Sequence, residues 1–334
     1  MTTMKAIVWT AYGPPSVLKV QDVNKPKVGP DTVLVKVKCA GVAAGDCEMR
    51  SQNMPFIIRA PMRLISGIMR PARIPVLGQQ FSGEVTEVGN KVTAFKIGDR
   101  VFGTAGISFG AYAQYVAVPE RPKDGSYLGI VPANISFAEA SVASLSAMEA
   151  ISFLGQAGLK EGERVLVIGA GGNIGSFAVQ LAKSYFKASY VAAVDSTNKM
   201  AMLKAVGADK TIDFMSDKNY LKTSETFDVI LDVPGKSSFA QCEPCLNDGG
   251  RYIMAMFGGS ELLQSALVPT GSKKMMPGMS KYLPQDFITI SRLLEESKIK
   301  SVVDRVFPFE EAVAAHTYAE SGDKAGCIAL QFDA

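Results

Sequence analysis

The run from Gly162 to Lys183, GERVLVIGAGGNIGSFAVQLAK, constrains the fold more than any other part of the chain. Val165 to Ile168 are β-branched or large aliphatic and read as a buried strand. Ile174, Phe177, Ala178, Leu181, Ala182 and Tyr185 then recur at helical spacing. Between the two periods lies Ala170-x-Gly172-x-x-Gly175. Small residues here allow a tight strand-to-helix turn, let backbone N–H groups approach a pyrophosphate, and seat the helix close against the strand. The expected ligand is a dinucleotide, held at Gly169, Ala170, Gly171, Gly172, Asn173, Ile174 and Gly175. A second strand, Ala188 to Val194, ends in Asp195, about 20 residues after the last glycine, where a carboxylate accepts hydrogen bonds from ribose hydroxyls. Asp195 favours NADH over NADPH because it repels a 2′-phosphate. Ser196, Thr197 and Lys199 argue the other way, since hydroxyls and a cation could hold that phosphate.

At 334 residues the chain is long enough for two domains. A net charge of +3 without a long block of like charge gives no reason to expect a nucleic-acid partner. The start, MTTMKAIVWT, passes directly into a strand-like alternation and lacks the regions of a secretory signal, and five scattered cysteines fit reduced thiols better than a disulfide framework. The expectation is a cytoplasmic protein without a transmembrane helix.

Short strands separated by Gly, Pro and Asp fill residues 1–128: Met4 to Thr10, Thr32 to Ala43, Gly83 to Val88, Arg100 to Phe102 and Ala111 to Val118. Residues 129–280 alternate helices and strands, the pattern of a doubly wound parallel sheet. Residues 281–334 carry helices near Asp286 to Ser297 and Glu310 to Ser321 and a strand, Cys327 to Phe332, expected to return to the first sheet. The fold class is α/β, a mostly β domain joined to a Rossmann domain.

Several separated motifs together resemble the medium-chain dehydrogenase/reductase superfamily, in its zinc-independent quinone oxidoreductase group. GQQFSGEVTEVGNKVTAFKIGDRVF, Gly78 to Phe102, is similar to the pattern of the GroES-like catalytic domain. Gly162-Glu163, the glycine turn, Gln180 and Lys183 resemble the quinone oxidoreductase signature, with Asn173 where Gly or Glu is usual. Gly207-Ala208-Asp209 and Asp232-Val233-Pro234-Gly235 also fall in family positions. The resemblance spans essentially the whole chain. It implies NAD(P)H as cofactor in an interdomain cleft, adds Ser146, Val233 and Phe257 to the cofactor-binding positions, and implies a homodimer.

Zinc-dependent relatives carry metal ligands where this chain has Ala43 and Gln79, and no cysteine lies between Cys47 and Cys242. Those residues cannot assemble a tetrahedral zinc site, so no metal is expected. Reduction of a ketone to an alcohol develops alkoxide charge that needs a metal or acid, whereas hydride addition to a quinone or α,β-unsaturated carbonyl spreads charge by conjugation. A small hydrophobic quinone or enone is therefore the expected substrate. The proton donor is unassigned: Asp46, Cys47 and Glu48 are the candidates, Glu48 standing where several quinone oxidoreductases have a tyrosine. Cys242-x-x-Cys245 reads as two packing thiols and His316 as a structural helix residue. Arg50, Arg59, Arg63, Arg70 and Arg73 lie in an apolar stretch without Asp or Glu. That segment reads either as a solvated insertion or as a cationic lid whose Met54, Phe56, Ile57 and Ile58 wall the substrate and meet a membrane surface. Two rival functions stand beside the reductase: an alcohol dehydrogenase for bulky alcohols, and a nucleotide-sensing or membrane-associated binding protein with little turnover.

Overall fold

The computed structural model describes residues 2–267 and 272–332. In chain order the first half holds β1 (Thr3–Trp9), β2 (Leu18–Asn24), β3 (Thr32–Val42), α1 (Ala44–Ser51), α2 (Phe56–Ser66), β4 (Gln80–Val88), β5 (Arg100–Ala105), β6 (Tyr115–Pro119), β7 (Ser126–Ile130) and α3 (Phe137–Gln156). The second half holds β8 (Arg164–Ile168), α4 (Asn173–Ser184), β9 (Tyr190–Asp195), α5 (Met200–Ala205), β10 (Lys210–Asp213), β11 (Phe227–Asp232), α6 (Phe239–Cys242), β12 (Leu246–Met254), α7 (Gly259–Leu267), β13 (Lys274–Pro277), α8 (Pro284–Glu295), β14 (Val303–Pro308), α9 (Ala312–Glu320) and β15 (Cys327–Gln331).

β3 is the spine of the first domain. Of its sequence TVLVKVKCAGV, all but Thr32, Lys36 and Lys38 are buried. β4 pairs along one side of it; along the other, β6 covers Thr32–Lys36 and β15 covers Cys39–Val42, all antiparallel. The strand near the C-terminus thus returns to the first sheet, with β14 parallel outside it. The second sheet has the order β10-β9-β8-β11-β12-β13 and is parallel throughout. Chain order reverses between β8 and β11, so a crevice opens at their C-terminal ends.

α3 joins the two sheets. Ser136 caps it, its Oγ accepting from the Glu139 N–H at 3.2 Å while the Glu139 carboxylate accepts from the Ser136 N–H at 2.8 Å. This helix is apolar and long enough to cross a bilayer, but 78% of its most apolar window is buried, as in a core helix. It carries Ser146 and Glu149 to the crevice.

Candidate functional site

The glycine turn does three separate jobs. A Cβ on Gly175 would collide with the Gly169 carbonyl and sit 2.5 Å from Ala170 Cα, so this glycine lets α4 pack on the turn. A Cβ on Gly171 would meet the side chains of Lys199 and Asp195, so here the missing side chain admits the end of β9. Gly172 is different, because a Cβ there would meet only the Gly169 carbonyl, at 3.7 Å, and would otherwise point into open space on the cavity wall. At Gly169, φ is +74°, the left-handed conformation that permits the sharp exit from β8.

The cavity has a volume of about 1320 Å³ and runs from this turn in both directions. Gly169, Gly172, Asn173 and Ile174 line its middle. Towards one end lie Asp195, Lys199, Phe214, Tyr220, Lys236 and Ser237; towards the other lie Ala43, Glu48, Gln79, Ser146, Glu149, Phe153 and Ser280. Val233 is also on the wall. Phe257 is not: it packs into a small core cluster, and Ala255 and Met256 take the wall position instead. Ala170 is fully buried behind the turn.

Asp195 is 5% exposed and already well bonded. One carboxylate oxygen accepts from the Gly171 N–H at 2.7 Å; the other accepts from the Ser196 N–H at 2.8 Å and faces Lys199 Nζ at 2.8 Å. The Ser196 hydroxyl is tied back to Asp195 and Asn198 rather than lining the cavity. Asn173 holds no free amide for a phosphate. Its Nδ2 donates to the Val42 carbonyl at 3.2 Å and its Oδ1 accepts from Lys324 Nζ at 2.6 Å, so it stitches the nucleotide-binding helix to β3.

The three candidate acids separate clearly. Asp46 is fully buried, accepting from the N–H groups of Ala43 (3.0 Å) and Gly78 (3.2 Å) and from the Tyr112 hydroxyl (3.1 Å). It fixes the start of α1 and does not reach the cavity wall. Burial raises it to about 6 even against those donors. Cys47 faces His316 on α9, Sγ to Nδ1 3.4 Å, and Arg50 Nε donates to the same nitrogen at 3.3 Å. Burial, reinforced by Arg50, holds His316 down to about 3, and burial pushes the Cys47 thiol up to about 12. The pair is a neutral thiol against a neutral ring, not a nucleophile. Only Glu48 lines the cavity, and burial raises it to about 7.

Sequence reasoning missed Glu149, the one carboxylate of α3 beyond its first turn and three residues from Ser146. Its isolation in that helix was the available signal. Tyr282 Oη donates to it at 3.3 Å, and burial raises it to about 7, helped by the charges of Glu48 and Asp46.

No residue from 54 to 70 reaches the cavity wall, which corrects the expectation for Met54, Phe56, Ile57 and Ile58. Met54 packs into the first domain's core, and Phe56 is 73% exposed. Arg50 is not part of a solvated basic face either: it is fully buried, pairing with Glu320 at 2.5 Å and donating to the Gly13 carbonyl. Cys242 ends the short α6 and Cys245 follows in a 3₁₀ turn; both are buried, and Cys245 Sγ donates to the Leu221 carbonyl at 2.9 Å. Among the described residues no group of three His, Cys, Asp or Glu could hold a metal. At the positions where zinc ligands would stand, Ala43 has no donor atom and the Gln79 amide donates to the Gly106 carbonyl at 3.2 Å.

Residues 29–122 match the alcohol dehydrogenase GroES-like domain, and residues 206–330 match the zinc-binding dehydrogenase domain. The 2-methylene-furan-3-one reductase of Solanum lycopersicum is 31% identical over 98% of this chain and 79% of that protein. An NAD-dependent alcohol dehydrogenase of Sulfolobus acidocaldarius is 30% identical over 97% of this chain and 98% of its own length. The solved quinone oxidoreductase from Coxiella burnetii superposes with a TM-score of 0.85 at 27% identity, covering 99% of each chain.

Proposed function

This chain belongs to the medium-chain dehydrogenase/reductase family and is an NAD(P)H-dependent oxidoreductase; from that premise we propose that it reduces a quinone or an α,β-unsaturated carbonyl with NADH and without zinc. The observation that carries this reading is one continuous cavity running from the glycine turn to Glu48 and Glu149. The glycine turn and Asp195 fit the phosphates and ribose of a dinucleotide, and the other end is bounded by Phe153, Ser146, Gln79 and two carboxyls, with no group of metal ligands among the described residues. The reduced nicotinamide supplies the hydride. Ser146 and Glu149 on α3 and Glu48 on α1 bound the acceptor's place, so that orientation of acceptor against nicotinamide does most of the catalytic work. Conjugation in the acceptor spreads the arriving charge, which suits a site lacking a strong electrophile.

NADH is favoured over NADPH because the Asp195 carboxylate stands at the cavity wall and its nearest cation, Lys199, is already paired with it. A homodimer, checked by light scattering, and contact of α2 with an anionic membrane belong to the same proposal. The deciding experiment is steady-state oxidation of NADH and NADPH against a panel of quinones and enones, with the oxidation of bulky alcohols by NAD run in parallel, each before and after chelation. Turnover of quinones or enones that survives chelation is expected. Faster alcohol oxidation, lost with chelator and restored by zinc, overturns the proposal in favour of an alcohol dehydrogenase.

A further inference from the structure

Two carboxyls face one end of the cavity, and among the described residues neither is paired with a cation. Glu48 comes from α1 and Glu149 from α3, so two domain elements that are far apart in sequence bring them to the same wall. Two half-buried acids with no cation to offset their charge add nothing to stability. We propose that Glu48 is the acid that protonates the reduced acceptor, and that Glu149, held by the Tyr282 hydroxyl, is the positioning residue that keeps the Glu48 proton in place.

The inference rests on the reductase reading above. Glu149 is anchored, accepting from Tyr282 Oη at 3.3 Å, whereas Glu48 has no side-chain hydrogen bond among the described residues and is the freer of the two to reach a ligand. The charged neighbours of Glu149 push it the same way, upward, on top of burial. Asp46 on α1 adds its charge at Glu149, Tyr282 on the segment after β13 is itself pushed upward, and Cys47 stays a thiol. Lys324 is occupied by Asn173 and the Gly326 carbonyl. Burial raises both groups to about 7, and the Glu48 charge adds to the rise of Glu149, so the two carboxyls titrate as a coupled pair that keeps a proton close to neutrality.

The step balances without any further reagent. Hydride adds to the β-carbon of the enone, a C–H bond forms, and the π pair moves to give an enolate. The Glu48 O–H bond then breaks, and its proton goes to the α-carbon, leaving a saturated ketone and a carboxylate. Solvent reaching the cavity mouth reprotonates the pair. A quinone takes the hydride to the hydroquinone monoanion, and the same proton neutralises its phenolate oxygen. An ionised Glu48 would stand as a like charge beside the developing oxyanion, so only the acid form is productive.

The test is kcat against pH with 2-cyclohexen-1-one and with 1,4-benzoquinone at saturating NADH, for wild type, Glu48→Gln and Glu149→Gln. Wild-type kcat should fall as pH rises through about 7, because the productive form is the protonated one. Glu48→Gln should lower enone kcat by about 10²- to 10⁴-fold, the usual contribution of a general acid, and flatten the alkaline limb. Its dissociation constant for NADH, which also reports folding, should be unchanged. Glu149→Gln removes a like charge from Glu48, so it should move the limb to lower pH with a smaller loss of kcat, a change that a merely structural role would not produce. An active enzyme whose rate and pH profile ignore Glu48→Gln overturns the donor assignment alone. A wild type inert towards both acceptors overturns the reductase reading and the donor with it.

Discussion

At the scale of single residues, Gly172 and Gly175 predict opposite failures. Gly172 has φ −89° and ψ −174°, an extended conformation open to any residue, and open space where its side chain would go. Gly172→Val should therefore leave the melting temperature nearly unchanged while weakening NADH and NADPH together, because the new side chain occupies the pyrophosphate's approach. Gly175→Val instead drives a side chain into the Gly169 carbonyl and Ala170, an overpacking that costs about 1–3 kcal/mol or more, and should lower the melting temperature. Equal melting temperatures for the two variants would contradict this reading of the turn. Asp195 carries a second prediction. Asp195→Asn removes the charge that opposes a 2′-phosphate and releases Lys199 from its ion pair, so the ratio of NADPH to NADH dissociation constants should fall about tenfold or more, roughly the 1.4 kcal/mol of a modest charge contact. A ratio that stays at the wild-type value removes Asp195 from cofactor discrimination.

At the scale of elements, α2 has its apolar face turned outward. Phe56, Ile57, Leu64 and Ile65 are exposed on it, Ile68 and Met69 follow, and Arg59, Arg70 and Arg73 are exposed around them. Two copies meeting through this face would bring its arginines close to their like, whereas an anionic lipid surface matches both the charge and the apolar area. Each arginine near anionic headgroups contributes about 1 kcal/mol. Wild type should therefore sediment with phosphatidylserine vesicles at low salt and be released at high salt, and Leu64→Glu combined with Met69→Glu should abolish binding while kcat for a water-soluble quinone holds. Salt-insensitive binding, or none, leaves α2 a solvated surface.

α2 also shows where sequence reading reached its limit. Met54, Phe56, Ile57 and Ile58 were expected at the substrate wall because they follow Asp46, but α2 turns its apolar side to solvent and Met54 packs into the first domain's core. β3, β8, α4 and β9 were legible because each buries one continuous apolar stripe with the right period. β2, β10 and β13 were not: LKVQDVN is mostly exposed, KTID is short, and KMMP is an edge strand ending in proline. The glycine turn and Asp195 could be read because backbone chemistry demands those residue types at that spacing. Glu149 could not be paired with Glu48 from sequence, since only the packing of α3 against the first sheet brings them together.

At the scale of the molecule, the two sheets share α3, and several bonds cross between them. Asn173 reaches Val42 and Lys324, Ser82 Oγ donates to the Phe137 carbonyl at 2.6 Å, and Ser144 Oγ donates to the Gly103 carbonyl at 2.8 Å. Coupling of this extent predicts one cooperative unfolding transition rather than two. Trp9, the single tryptophan, is 1% exposed in the first domain and reports that domain alone, whereas far-ultraviolet circular dichroism reports both. Urea melts followed by the two signals should coincide. Separated midpoints would show that the domains unfold independently.

The return of β15 to β3 also sets a timetable for biosynthesis. β3 is complete at Val42, but its neighbour over Cys39–Val42 begins only at Cys327, some 285 residues later. At ~5–20 residues per second the ribosome takes roughly 15–60 s to cover that distance. For that interval the nascent chain carries an unpaired strand edge of Cys-Ala-Gly-Val, and the first sheet waits on a strand encoded far downstream before it can close.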